Sequence, residues 1–127
     1  MGFFYISDDT GVQEVEHDGG VVVLAAGGEI DYAASPRLRE RIARHIDAGG
    51  RHLVLDLTHV AFIDSTAIGV LIGTVMKLRE LGDGSLTVVC SEENRRVMRI
   101  FEIAGVDSLF SLHRSREDAL SALAAAG

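Results

Sequence analysis

The sequence predicts an α/β fold: a mixed β-sheet with the first strand antiparallel and the rest parallel, and helices mainly on one face. Two observations carry this reading. Short apolar runs of strand length, at residues 21–26, 53–57 and 85–90, alternate with stretches whose apolar residues recur every three or four positions. Glycines close most of the helical stretches, so that strand and helix follow each other in strict order. The 127 residues suit one domain spanning 1–127.

Taken in order, residues 1–11 read as a loosely held arm. Residues 12–17 alternate weakly and meet Asp18-Gly19-Gly20, a hairpin signal, before the apolar run that opens at Val21. Two antiparallel strands follow from this, the second more buried, ending over Gly27 to Asp31. Ser35-Pro36 then predicts a helix start, a hydroxyl cap with proline at the first helical position. Leu38, Ile42 and Ile46 give its apolar stripe; Arg37, Arg41 and Arg44 fall on another face, and Gly49-Gly50 stops it. A helix between two strands in so short a span implies a parallel crossover onto the strand at 53–57.

Next comes an acidic turn, Asp64-Ser65-Thr66, and a helix to Leu81 that stops at Gly82-Asp83-Gly84. A third parallel strand ends at Cys90. Ser91, Glu92 and Glu93 then cap and charge a helix with Val97, Ile100, Phe101 and Ala104 inward, closed by Gly105. Residues 108–112 read as a short edge strand. Ser115 to Asp118 form a capping box before a last helix with Ala119, Leu120 and Leu123 inward. There is no internal repeat, linker or low-complexity tract. So few short elements leave little chain to cover both faces of the sheet.

Composition narrows the function. A net charge of −7 argues against nucleic acid and against an anionic membrane surface. One cysteine, Cys90, permits no intramolecular disulfide, and a reducing cytoplasmic setting fits. The five histidines, at 17, 45, 52, 59 and 113, lack zinc-site spacing, so neither metal nor cofactor is expected. Residues 1–6 are apolar but short, carry no basic residue and run into Asp8-Asp9, unlike a targeting segment. The most lipid-like run, 57–76, holds His59 and Asp64, which suits a buried element of a soluble domain better than a membrane span.

The Asp64-Ser65-Thr66 turn is where chemistry is expected, because a helix start offers unpaired N–H groups and the positive end of a dipole. Capping alone accounts for such residues. The functional reading makes Ser65 a phosphoacceptor. A phosphoryl group there adds about −1.5 to −2 charges, beside Asp64 and near Glu29 and Asp31, since the loops at the carboxyl ends of parallel strands share one rim. Such a charge turns a docking surface from complementary to repulsive.

Enzyme readings fit poorly. A nucleophile elbow needs glycines flanking the serine at two-residue spacing, and Ile63 and Ala67 stand there. His59 is the one nearby base, in what reads as a connection, and no phosphate-binding glycine loop with a lysine exists. Gly69 and Gly73 share a helix face, which suggests close helix–sheet packing or a smooth partner surface. The apolar residues around that helix exceed what one core face needs. Arg95, Arg96 and Arg99, like Arg37, Arg41 and Arg44, read as solvated outer faces, and Cys90 as core.

These residues resemble a known family. The run 60–71, with Phe62-Ile63-Asp64-Ser65-Thr66-Ala67-Ile68-Gly69 at its centre, looks like the signature of STAS domains, specifically the bacterial anti-sigma factor antagonists. Gly28-Glu29-Ile30-Asp31 resembles that family's Gly-Glu-Leu/Ile-Asp motif. Residues 100–110, with Phe101, Gly105 and Phe110, match its C-terminal block. The three motifs are collinear, and the match spans about residues 12 to 125. The resemblance implies a STAS-like mixed sheet. It also implies a partner-switching regulator rather than an enzyme. In its unphosphorylated form such a protein binds an anti-sigma factor that is also an ATP-dependent serine kinase, and so releases a sigma factor. Phosphorylation, mapped onto Ser65 with Thr66 as a second acceptor, blocks binding, and a metal-dependent serine phosphatase resets it.

The implied docking surface comprises Asp31, Asp64, Ser65, Thr66, Ala67 and Gly69 with the outer side of the following helix. Ala67 departs from the usual glycine, and its methyl group is expected to narrow access to Ser65. The alternative within the family is a structural or regulatory subunit of a stress-signalling or lipid-transport complex.

Overall fold

Alternation of apolar residues along the strands builds two unequal cores, one on each face of a single sheet. The computed structural model describes residues 13–16 and 21–126. The expected arm at 1–11 and the Asp18-Gly19-Gly20 turn lie outside the described residues. The elements are β1 (Gln13–Glu16), β2 (Val21–Ile30), α1 (Ser35–Asp47), β3 (His52–Ile63), α2 (Ser65–Leu81), β4 (Ser85–Val89), α3 (Arg95–Ala104), β5 (Ser111–His113) and α4 (Arg116–Ala126).

The strands lie side by side in chain order. β1 pairs antiparallel with β2, Gln13 opposite Ala25; β2 with β3, β3 with β4 and β4 with β5 are parallel. Because successive residues of a strand point to opposite faces, Leu24, Leu53, Leu55, Leu57, Leu86 and Val88 form one surface. It is covered by Leu38, Ile42 and Ile46 of α1, Leu71, Val75 and Leu78 of α2, and Val97 and Phe101 of α3. Phe101 meets Phe110 edge to face, ring centres 5.3 Å apart. The opposite surface, Val23, Val54 and Val89, is covered by α4 through Ala119, Leu120 and Leu123. Three helices therefore share one face and one helix has the other.

That second face also buries a charge. Asp56 is 6% exposed and receives the Thr58 hydroxyl and amide at 2.5 and 2.9 Å and the Arg116 Nε at 2.5 Å. Burial alone pushes its carboxyl up, but the Thr58 hydroxyl, Arg116 and the Thr58 amide together hold it below the ordinary value of 3.8. The pair pins the first residue of α4 to the middle of β3.

Several local expectations are corrected. β3 does not stop near Leu57 but runs on to Ile63, so His59 lies on a strand, not in a connection. The two longest strands, β2 and β3, stay paired as far as Ile30 and Ile63, whereas β3 and β4 part after Asp56 and Val89. The last stretch of β2 and β3 thus projects beyond the rest of the sheet. It bends at register shifts around Gly27 and Gly28, the latter with φ +71°, a conformation that glycine adopts without strain.

Helix starts also differ. Ser35 is the first residue of α1 rather than its cap. α3 is capped by Asn94, not by Ser91: its carbonyl oxygen accepts the Val97 amide at 3.4 Å, and its NH2 reaches the Leu57 and Val60 carbonyls of β3 at 3.2 and 2.6 Å. The local rules rank Ser and Asn alike as caps; the two bonds to β3 select Asn94. The last strand begins three residues later than expected, at Ser111. At α4 the Ser115 hydroxyl accepts the Asp118 amide at 3.0 Å, the cap that the sequence announces.

Candidate functional site

The projecting ends of β2 and β3 deliver two aspartates to one rim. Ile30 and Ile63 are register partners, and the Asp64 amide donates to the Ile30 carbonyl at 3.2 Å. Asp31 and Asp64 are the next residues along each strand, and Glu29 stands opposite Phe62. Among the described residues the rim is acidic, with no ion pair to Glu29, Asp31 or Asp64.

Asp64 has extended backbone, φ −106° and ψ −177°, and is the N-cap of α2. Its Oδ1 accepts the Ala67 amide at 3.0 Å, while its carbonyl accepts the Ile68 amide at 3.1 Å. The capping task at this helix is therefore done by the aspartate. Ser65 and Thr66, the first two helical residues, are both exposed, and among the described residues neither hydroxyl has a hydrogen-bond partner. Their amides belong to the orphan N–H groups of the first turn. Asp31 is likewise occupied: its Oδ1 accepts the Ala33 and Ala34 amides, each at 3.0 Å, folding the chain into α1.

Ala67 is placed differently from the expectation. It is 1% exposed and sits in the main core, so its methyl group points away from Ser65. Only its amide takes part in the turn. Gly69 is exposed, and a Cβ built on it or on Gly73 meets nothing within 4 Å. Close helix–sheet packing is thus not what these glycines serve. They face a groove of about 400 Å³ between α2 and α1, with Ile42, Ile46 and Val70 along it.

Two aromatic residues at this rim were not singled out from the sequence. Tyr32, 75% exposed, follows Asp31, and Phe62, 38% exposed, lies on the projecting strand. Exposed aromatics beside polar groups are the residue types enriched in protein interfaces. The available signal was their adjacency to the two acidic motifs.

Among the described residues no base stands beside Ser65. His59 is exposed, faces Gly27 in register, and lies about 13 Å back along the strand from Ile63 at the usual rise per residue. No hydrogen bond joins it to Ser65. Cys90 is buried, and burial, then the Asp56 charge, pushes its thiol up, the opposite of an activated nucleophile. Among the described residues no group of three or more His, Cys, Asp or Glu is arranged to hold a metal ion. None of the described helices is long and apolar enough to cross a membrane.

The chain resembles known proteins over most of its length. The STAS domain family model matches residues 13–119. The chain is 33% identical to BtrV of Bordetella bronchiseptica over 103 residues, 81% of this chain and 86% of that protein. It is 30% identical to the anti-sigma-B factor antagonist of Listeria monocytogenes over 97 residues, 76% of this chain and 82% of that one. Among solved structures, the crystal structure of an anti-sigma factor antagonist from Mycobacterium paratuberculosis superposes with a TM-score of 0.77 at 29% identity. That match covers 92% of this chain and 97% of the other.

Proposed function

The chain belongs to the STAS domain family, and from that premise we propose that it is an anti-sigma factor antagonist switched by phosphorylation of Ser65. Unphosphorylated, it binds an anti-sigma factor and frees the sigma factor that the latter holds. The observation that carries the reading is the division of labour at α2: Asp64 caps the helix, which leaves the Ser65 hydroxyl exposed and uncommitted. A helix-start serine occupied in capping would have to break that bond to react.

The chemistry is simple. A partner kinase transfers the γ-phosphoryl group of ATP to Ser65 Oγ; the O–H proton leaves and ADP departs. The product carries about −1.5 to −2 charges on a rim that already holds Glu29, Asp31 and Asp64 without counter-ions. The orphan amides at the start of α2 offer the phosphoryl oxygens local hydrogen bonds, so the modified turn keeps its fold while its field changes. Repulsion then disfavours an acidic or closely packed partner surface, and loss of fit adds to it. A serine phosphatase removes the group by hydrolysis. Thr66, equally exposed, is the lesser acceptor because the family motif places the reactive hydroxyl directly after the aspartate.

The partner surface in this reading is Asp31, Asp64, Ser65, Thr66 and Gly69, with Tyr32 and Phe62 as apolar anchors; Ala67 enters through its backbone alone. The setting is cytoplasmic, and the protein acts by binding rather than by turnover. The test is intact-mass measurement after incubation with a cognate anti-sigma kinase and ATP. One phosphoryl group is expected on the wild type and none on Ser65→Ala. Incorporation at an unchanged rate in Ser65→Ala would move the acceptor elsewhere.

A further inference from the structure

Away from the Ser65 turn, and independent of it, a crevice of about 630 Å³ lies between α3 and the end of β5. That is within the size range of small-ligand sites. One wall is the α3 stripe Arg95, Met98 and Arg99; the other is Leu112 and Arg114, at the carboxyl end of the edge strand. Met98 and Leu112 are half-buried and supply an apolar floor. As the sequence suggests, Arg95, Arg96 and Arg99 are all exposed; Arg95 and Arg99 also line the crevice, while Arg96 is not part of its lining.

The charges here are arranged against the helix that bears them. Arg95, Arg96 and Arg99 fall within the first five positions of α3, and its first turn holds no acid. Cations at that end oppose the dipole. Arg95 and Arg99 are four residues apart, where like charges repel. No protein group offsets this: both side chains are exposed, and among the described residues neither has a side-chain hydrogen bond or ion pair. The acids at the crevice do not serve. Glu92 is taken by Arg114, and Glu102, one turn beyond Arg99, pairs with neither arginine. Two guanidinium groups without a protein partner thus line a crevice that also holds Met98 and Leu112, in a chain whose net charge is −7. Places where local rules are broken are expected to be functional or strained sites.

We propose that this crevice binds a small organic oxyanion, a carboxylate or phosphate ester whose apolar body lies on Met98 and Leu112 and whose oxygens are held by Arg95 and Arg99. The planar guanidinium fork suits oxyanions. An inorganic ion alone would leave the floor unused, and a neutral ring alone would leave the arginines unpaired.

Calorimetric titration of the full chain tests this with four probes: phenyl phosphate, benzoate, inorganic phosphate and phenol. At least one of the two organic anions is expected to bind saturably at one site, inorganic phosphate more weakly, and phenol not at all. Whichever of phenyl phosphate and benzoate binds tighter assigns the oxyanion class. Arg99→Gln should weaken binding about tenfold, while its Tm equals or exceeds that of the wild type because a like-charge pair is removed. Arg96→Gln, which changes the net charge equally but lies outside the crevice, should bind as the wild type does. The proposal is overturned if neither organic anion binds saturably, if Arg99→Gln binds unchanged, or if Arg96→Gln loses as much as Arg99→Gln.

Discussion

Two helices of this protein, α1 and α2, begin with a serine that follows an aspartate at a strand end, and the two serines have opposite fates. Ser35 opens α1, is 1% exposed, and donates its hydroxyl to the Asp31 carbonyl at 2.8 Å. Ser65 opens α2, is exposed, and donates to nothing among the described residues. The difference lies in spacing. With three residues between Asp31 and Ser35, the chain turns back on itself and the serine closes the turn. With none between Asp64 and Ser65, the aspartate takes the cap and the serine projects beyond it. Residue type at a helix start does not by itself leave a hydroxyl free; the spacing from the aspartate does.

The largest expected effect breaks the comparison outright. Ser65→Ala should abolish phosphoryl incorporation, whereas Ser35→Ala should leave it intact, as read by intact mass. Equal loss in both would mean that the α1 serine matters to the kinase in a way that its burial forbids.

The next effect concerns a third aspartate of the same sheet, one that lies neither on the rim nor at a cap. Arg116→Ala strands the buried Asp56 carboxylate and should destabilise the fold by about 3 kcal/mol in urea unfolding, far more than removing any rim acid. The pH dependence has a defined sign. The Asp56 carboxyl is held below 3.8, so its contribution is fully present above that value and is lost as pH falls through the lower folded value. The stability gap between wild type and Asp56→Asn should therefore shrink on acidification below 3.8 and stay constant above the carboxylate range.

A smaller effect sharpens the contrast between the serines themselves. Ser35→Ala should cost about 1 to 2 kcal/mol through its buried hydrogen bond, while Ser65→Ala should change stability by less than about 0.5 kcal/mol, as an exposed and unbonded site does. The smallest expected effect lies one turn into α2. Gly69→Ala should stabilise the fold by up to about 1 kcal/mol, because the added Cβ meets nothing within 4 Å and helix propensity improves. If the open groove serves the partner, the same change weakens binding while the fold gains.

Much of this was legible in the chain. The strand runs, the glycine stops and the Asp64-Ser65 start are local signals, and local periodicity reads them. What escaped depends on distance in sequence. Asp56 and Arg116 are joined across the sheet, and no window containing one contains the other. Asn94 wins the α3 cap over Ser91 because its amide reaches the Leu57 and Val60 carbonyls, partners that pattern reading does not see. Ala67 looked like a gate beside Ser65 because it is two residues away; a helix turns about 100° per residue, which carries its methyl group to the core. The arginines of α3 do form an exposed face, as the pattern suggests; that two of them also line a crevice depends on β5, which no local window contains.

The central claim is that a phosphoryl group on Ser65 switches binding. The most direct measurement is a calorimetric titration of the anti-sigma factor with two preparations of this chain, one unphosphorylated and one stoichiometrically phosphorylated on Ser65. The account predicts that phosphorylation weakens affinity at least tenfold, the scale of like-charge juxtaposition at an interface, with part of the loss recovered at higher salt. Equal affinity of the two forms would contradict it.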